Sequence, residues 1–104
     1  MLTKSHGTTT RAEIIAACNG ETYHATLAKQ DALIMQRIVN QGIDSHLEAV
    51  TDSKFYYVSH PTRLVCEIAP ADLAVIVRRM YEDDSDEALD LRSSILYSLD
   101  IEEI

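Results

Sequence analysis

The sequence predicts a single α+β domain. Two β-hairpins, at about 12–28 and 54–69, form an antiparallel sheet packed by helices at about 29–41, 70–81 and 85–99. Three observations carry this. The stretch Thr62 to Tyr81, TRLVCEIAPADLAVIVRRMY, holds the densest apolar run and one strand-to-helix junction. Asn19-Gly20 is the strongest two-residue hairpin signal, because a type I′ turn needs φ > 0 at both positions. Residues 29–41 and 85–99 repeat their apolar side chains at helical spacing.

Residues 1–10 are polar and read as a flexible lead-in. Residues 11–18 admit two foldings. As the first arm of a hairpin they lead through Asn19-Gly20 into a second arm, where Tyr23, Ala25 and Leu27 alternate with Thr22, His24 and Thr26. As a helix they use Thr10 and Glu13 for a capping box and Asn19-Gly20 as the stop. Alanines favour the helix. The hairpin is preferred because a second arm containing Thr22, Tyr23 and Thr26 suits a strand.

From Lys29 to Gln41, Leu33, Ile34, Met35, Ile38 and Val39 make a broad apolar side, and Gly42 supplies a stop. Ile43 to Thr51 is undecided between one helical stretch and an edge strand. Lys54 to Ser59 is aromatic and β-branched, hence a strand, and His60-Pro61-Thr62 turns it into the next. Leu64 to Ala69 is apolar on both sides except at Glu67, which predicts a strand with both faces largely covered. Pro70 suits a first helical position, and Leu73, Ile76, Val77 and Met80 line one helix wall. Asp84 or Ser85 can cap the last helix, whose inner face is Ala88, Leu91, Ile95 and Leu99. Its outer side carries Asp86, Asp90, Ser93 and Tyr97. Residues 100–104 read as a tail.

The length suits one domain of 104 residues. No run of about 18 apolar residues spans a membrane, and the start of the chain lacks the apolar core of a secretory signal. Cys18 and Cys66 each lie in an apolar element, which suits reduced thiols in a cytoplasmic protein. The charge is uneven. Residues 1–81 hold eight acidic and eight basic side chains, whereas 82–104 hold nine acidic ones against Arg92 alone, which accounts for the net −8. A phosphate backbone is repelled by that end, so no direct nucleic-acid partner is expected.

No catalytic signature stands out. His24, His46, His60, Cys18 and Cys66 lack the close pair spacing of structural zinc, so no metal and no cofactor is expected. Cys66 and His60 lie near one turn and could form a nucleophile pair, but a mid-strand thiol is usually inert packing. Arg63, Arg78 and Arg79, with Lys54, could bind an anion. The preferred reading sets these arginines against the acidic end of the same chain.

The leading expectation is a non-enzymatic protein-binding module. It presents Asp83, Asp86, Glu87, Asp90 and Tyr97 to a basic partner or to another copy of itself. The alternative is a small acidic inhibitor, of the kind phages and mobile elements carry, that mimics nucleic-acid charge and blocks a nucleic-acid-binding enzyme. That version needs carboxylates on more than one helix. A third reading is a small ligand-binding domain or enzyme using His60, Cys66 and Tyr56. A free sheet edge at 54–59 or 46–51 could also pair between chains.

Overall fold

The computed structural model describes residues 2–3, 10–40, 53–58, 63–83 and 85–102. In chain order these form β1 (Leu2–Thr3), α1 (Arg11–Cys18), β2 (Tyr23–Ala28), α2 (Lys29–Asn40), β3 (Lys54–Val58), β4 (Arg63–Ile68), α3 (Pro70–Glu82), α4 (Asp86–Ser98) and β5 (Ile101–Glu102). The α+β class stands. So do the β3–β4 hairpin strands and the three expected helices. The turn at His60-Pro61-Thr62, the Gly42 stop and the undecided 43–51 stretch lie outside the described residues.

The first hairpin is corrected. Residues 11–18 are helix, Thr10 is the N-cap, and its hydroxyl accepts from the Glu13 N–H at 3.2 Å and donates to Glu13 Oε1 at 3.0 Å. Asn19 and Gly20 do take left-handed backbone, with φ of 53° and 76°. They use it to end a helix: Asn19 N–H donates to Ala16 O and Glu21 N–H to Cys18 O. Both foldings demand the same dihedrals of Asn-Gly, so the turn signal cannot separate them. The buried pair Ile14 and Cys18, one turn apart, decides for the helix, which lies against α3.

The second arm is the strand expected, but its partner is β4. The sheet runs β2-β4-β3 and is antiparallel throughout, with Tyr23 opposite Ile68, Leu27 opposite Leu64 and Phe55 opposite Cys66. β4 is therefore the central strand. Its alternation is stricter than the sequence implies: Leu64, Cys66 and Ile68 are fully buried, whereas Val65 and Glu67 are half-buried on the other face. One face of the sheet carries the core, and Lys54, Tyr56 and Val58 share the outer face with His24 and Thr26.

α3 contacts each of the other three helices and is buried from Asp72 to Val77 and again at Arg79 and Met80. The segment 62–81 thus supplies both the middle strand and the middle helix. The two chain ends meet in a short parallel ladder, Leu2 beside Ile101 and Thr3 beside Glu102. Asp100 permits this by adopting φ 59°, a left-handed conformation that Asp tolerates better than most residues. Ile101, expected in a tail, is buried in the core.

Candidate functional site

α4 begins at a polar knot. Ser85 is its N-cap and accepts from the Ala88 N–H at 3.3 Å, which satisfies one orphan donor of the first turn. Asp83 Oδ1 accepts from the Ser85 N–H at 2.9 Å. Arg37, in the last turn of α2, donates to Ser85 Oγ at 2.8 Å and lies 3.2 Å from Asp83 Oδ2. At the far end Ser98 Oγ donates to Ile95 O at 2.8 Å, so the Tyr23 hydroxyl, also 2.8 Å away, donates to Ser98. The helix is therefore tied to α2 at its start and to the sheet at its finish. A helix fixed at both ends loses little freedom when something docks on it.

Between these ties, Ala88, Leu91, Ile95 and Leu96 face the core. Asp86, Asp90, Ser93 and Tyr97 are exposed on the opposite side, as their spacing of four and seven residues requires. Tyr97 is 86% exposed, the most open large hydrophobic side chain among the described residues. Among those residues no cation pairs with Asp86, Glu87 or Asp90.

The site residues expected from the sequence therefore divide. Asp86, Glu87, Asp90 and Tyr97 occupy one open surface. Asp83 does not join them, because Arg37 neutralises it and only 13% of its side chain is exposed. Arg78 and Arg79, both expected opposite the acidic end, differ in burial. Arg79 is buried and donates to Ile38 O at 3.2 Å and Val39 O at 3.0 Å, so it caps the C-terminal end of α2. Arg78, one residue earlier and about 100° away around the helix, is exposed beside α1. Arg63 sits on the outer face of the sheet, opposite Val58 and Ala28.

Two contributors were missed. A shallow groove of about 460 Å³ runs between α2 and α4, lined by Gln30, Asp31, Leu33, Ile34, Glu87 and Asp90. Asp31 adds a third carboxylate from a second helix. Leu33, assigned to the buried side of α2, is instead 57% exposed. The signal lay in the spacing: Ile34, Met35 and Ile38 hold the inner stripe, and Leu33 lies about 100° beyond its nearest member, more than a quarter turn away.

The thiol chemistry fails on burial. Cys66 is 0% exposed, and burial pushes its thiol up to about 12, so no thiolate is at hand near neutral pH. Burial also raises Cys18 and the Tyr23 hydroxyl. Both cysteines are free. His60 lies outside the described residues. Among the described residues no group of three His, Cys, Asp or Glu could hold a metal ion, and no helix is long and apolar enough to cross a membrane.

Comparison with protein-family models, with curated proteins and with solved structures found no match to this chain.

Proposed function

We propose that this protein is a non-enzymatic binding module, working in the cytoplasm, whose α4 face and α2–α4 groove receive a basic, partly apolar segment of a partner protein or of another copy. The observation that carries this reading is Tyr97, fully outside and on the same side as Asp86 and Asp90. An aromatic ring supplies contact area at low entropic cost, and a field of one sign speeds encounter with the opposite sign. Leu33 offers the apolar contact that charge alone cannot give. Free buried thiols fit a reducing compartment.

The test uses a fluorescein-labelled amphipathic helical peptide of lysine and leucine, read by anisotropy. Tyr97→Ala, which leaves the charge unchanged, weakens binding about tenfold, in line with a central aromatic contact. Asp86→Lys with Asp90→Lys removes binding. Glu21→Lys, an exposed charge change outside this face, leaves most of it. Equal losses for Glu21→Lys and Asp90→Lys would reduce the surface to bulk charge and end this reading. Light scattering at rising protein concentration tests the self-association arm.

A second reading, nucleic-acid charge mimicry, is favoured by one observation. Asp31 on α2 faces Glu87 and Asp90 across the groove, so the carboxylates do span two helices. In that case the protein competes with DNA or RNA for a nucleic-acid-binding enzyme. The competition fades with salt, since exposed charge is screened over about 8 Å at physiological ionic strength. Competition that ignores salt would discard it.

A further inference from the structure

β3 is an edge strand. The sheet runs β2-β4-β3, and among the described residues nothing pairs with the side of β3 that faces away from β4. Of the six large hydrophobic side chains exposed among the described residues, three lie in this one strand: Tyr56, Tyr57 and Val58. An unpaired strand this apolar is a template for another chain. We propose that two copies of this chain join through β3, antiparallel about a two-fold axis at Tyr56, into one six-stranded sheet. The proposal is independent of the α4 reading.

Burial comes first. Tyr57 lies opposite Leu64, and directly opposed residues share a face, so its ring is on the core side of the sheet. Leu64 is fully buried there, yet Tyr57 is 42% exposed. α2 packs closely on β2 and β4, and among the described residues no helix packs closely on β3. Beside this gap a groove of about 240 Å³ opens between Phe55 and the α2 residues Gln36, Val39 and Asn40. It is smaller than ordinary small-molecule sites and suits one inserted side chain. The other edge lacks these features. On β2 the exposed residues are His24, Thr26 and Ala28, and Tyr23 is bonded to Ser98.

The strand's own sequence selects a second copy as the occupant. Only the register centred on Tyr56 pairs all five residues of β3 with their counterparts. It sets Tyr56 against its symmetry mate on the outer face. On the core face it sets Phe55 against Tyr57 of the second copy, twice. Aromatic residues directly opposed are among the stabilising cross-strand pairs. The same register brings Tyr57 of each copy to the Phe55 groove of the other, where Gln36 and Asn40 offer amides to its hydroxyl. Lys54, the only charge on β3, falls opposite Val58, so no like charges oppose each other. On β4 the flanking charges are Glu67, opposite Lys54, and Arg63, opposite Val58, so this part of the described sheet is not acidic. The surplus acid lies elsewhere, on a segment whose helix α4 packs against α2 and α3. A five-residue seam is small for an interface, which sets the dimer in the micromolar range.

Sedimentation velocity of the full chain reads the association, and the parent passes from monomer to dimer across about 5–500 µM. Tyr57→Ser, which empties both grooves, weakens the dimer about tenfold. Tyr56→Lys, which sets like charges against each other at the axis, leaves only monomer. Both positions are exposed, so circular dichroism of the two variants matches the parent. Nitroxide labels on Thr26→Cys read the register. Thr26, Val65 and Tyr56 form one row across the sheet, so the two labelled backbones sit five strand spacings apart, about 24 Å. Cys18 and Cys66 are buried and stay unlabelled. Asp86→Lys with Asp90→Lys dimerises as the parent does, which separates this seam from an α4 contact between copies. A monomer at every concentration would overturn the proposal and leave the edge to an extended segment of another protein. So would a dimer indifferent to Tyr56→Lys, one lost with the α4 charges, or label distances far from the expected value.

Discussion

Helices α3 and α4 are thirteen residues long, follow one another, and start alike, with Asp72 and Asp86 in their first turns. They use charge in opposite ways. α3 turns it inward. Its N-cap, Ala69, offers no side-chain hydrogen bond; Ser53, sixteen residues away, accepts from the Ala69 N–H itself at 3.0 Å and donates to Asp72 at 2.7 Å. At its other end Arg79 caps α2. α4 satisfies its own start with Ser85 and leaves Asp86, Glu87 and Asp90 in water. The lesson is that a charge count says little. What matters is where each charge falls relative to the buried stripe, because a desolvated charge must be bonded and a solvated one need not be.

The sharpest break of this contrast lies within α3 itself, at two adjacent arginines. Arg79→Met keeps the packed stem but strips two α2 carbonyls of their donor, and urea unfolding should show a loss of roughly 2–4 kcal/mol. Arg78→Met, on the exposed side, stays within about 0.5 kcal/mol. Equal effects would mean that burial does not separate the pair.

A second, smaller effect concerns the sheet beneath. The Cys66 thiol has an ordinary value of 9.0 in an open chain and about 12 when folded, because burial disfavours the thiolate. Below pH 9.0 both states hold the proton and this thiol adds no pH dependence. Above it the unfolded chain releases the proton first, so stability falls by about 1.4 kcal/mol per pH unit as the pH climbs toward the folded value. Cys66→Ala should flatten that alkaline slope in chemical denaturation, and an unchanged slope would assign it elsewhere.

Much of this architecture was legible in the sequence. Pro70 after an apolar strand, the Leu73–Ile76–Val77–Met80 wall and the Ser85 cap are short-range signals, and the structure keeps each of them. The outward set Asp86, Asp90 and Tyr97 followed from the same periodicity. What was illegible was long-range. Asn19-Gly20 specifies positive φ but not whether a helix or a strand precedes it. Nothing local says that Arg79 will reach Ile38 and Val39, or that Arg37 will take Asp83, since those contacts depend on how α2 lies against α3 and α4.

The smallest expected effect is also the most discriminating, and it concerns Asp90. Asp86 and Asp90 are one turn apart on an exposed helix face, where like charges repel and each such pair costs a few tenths of a kcal/mol. Asp90→Lys turns that repulsion into an attraction of similar size. Thermal unfolding should therefore show a slight stabilisation, no more than about 0.5–1 kcal/mol, while binding of the lysine–leucine peptide is lost. A carboxylate retained against the interest of its own helix is readily understood if it serves something outside the helix. A loss of about 1 kcal/mol or more would instead show that Asp90 serves the fold, and α4 would then resemble α3 in a new place rather than oppose it.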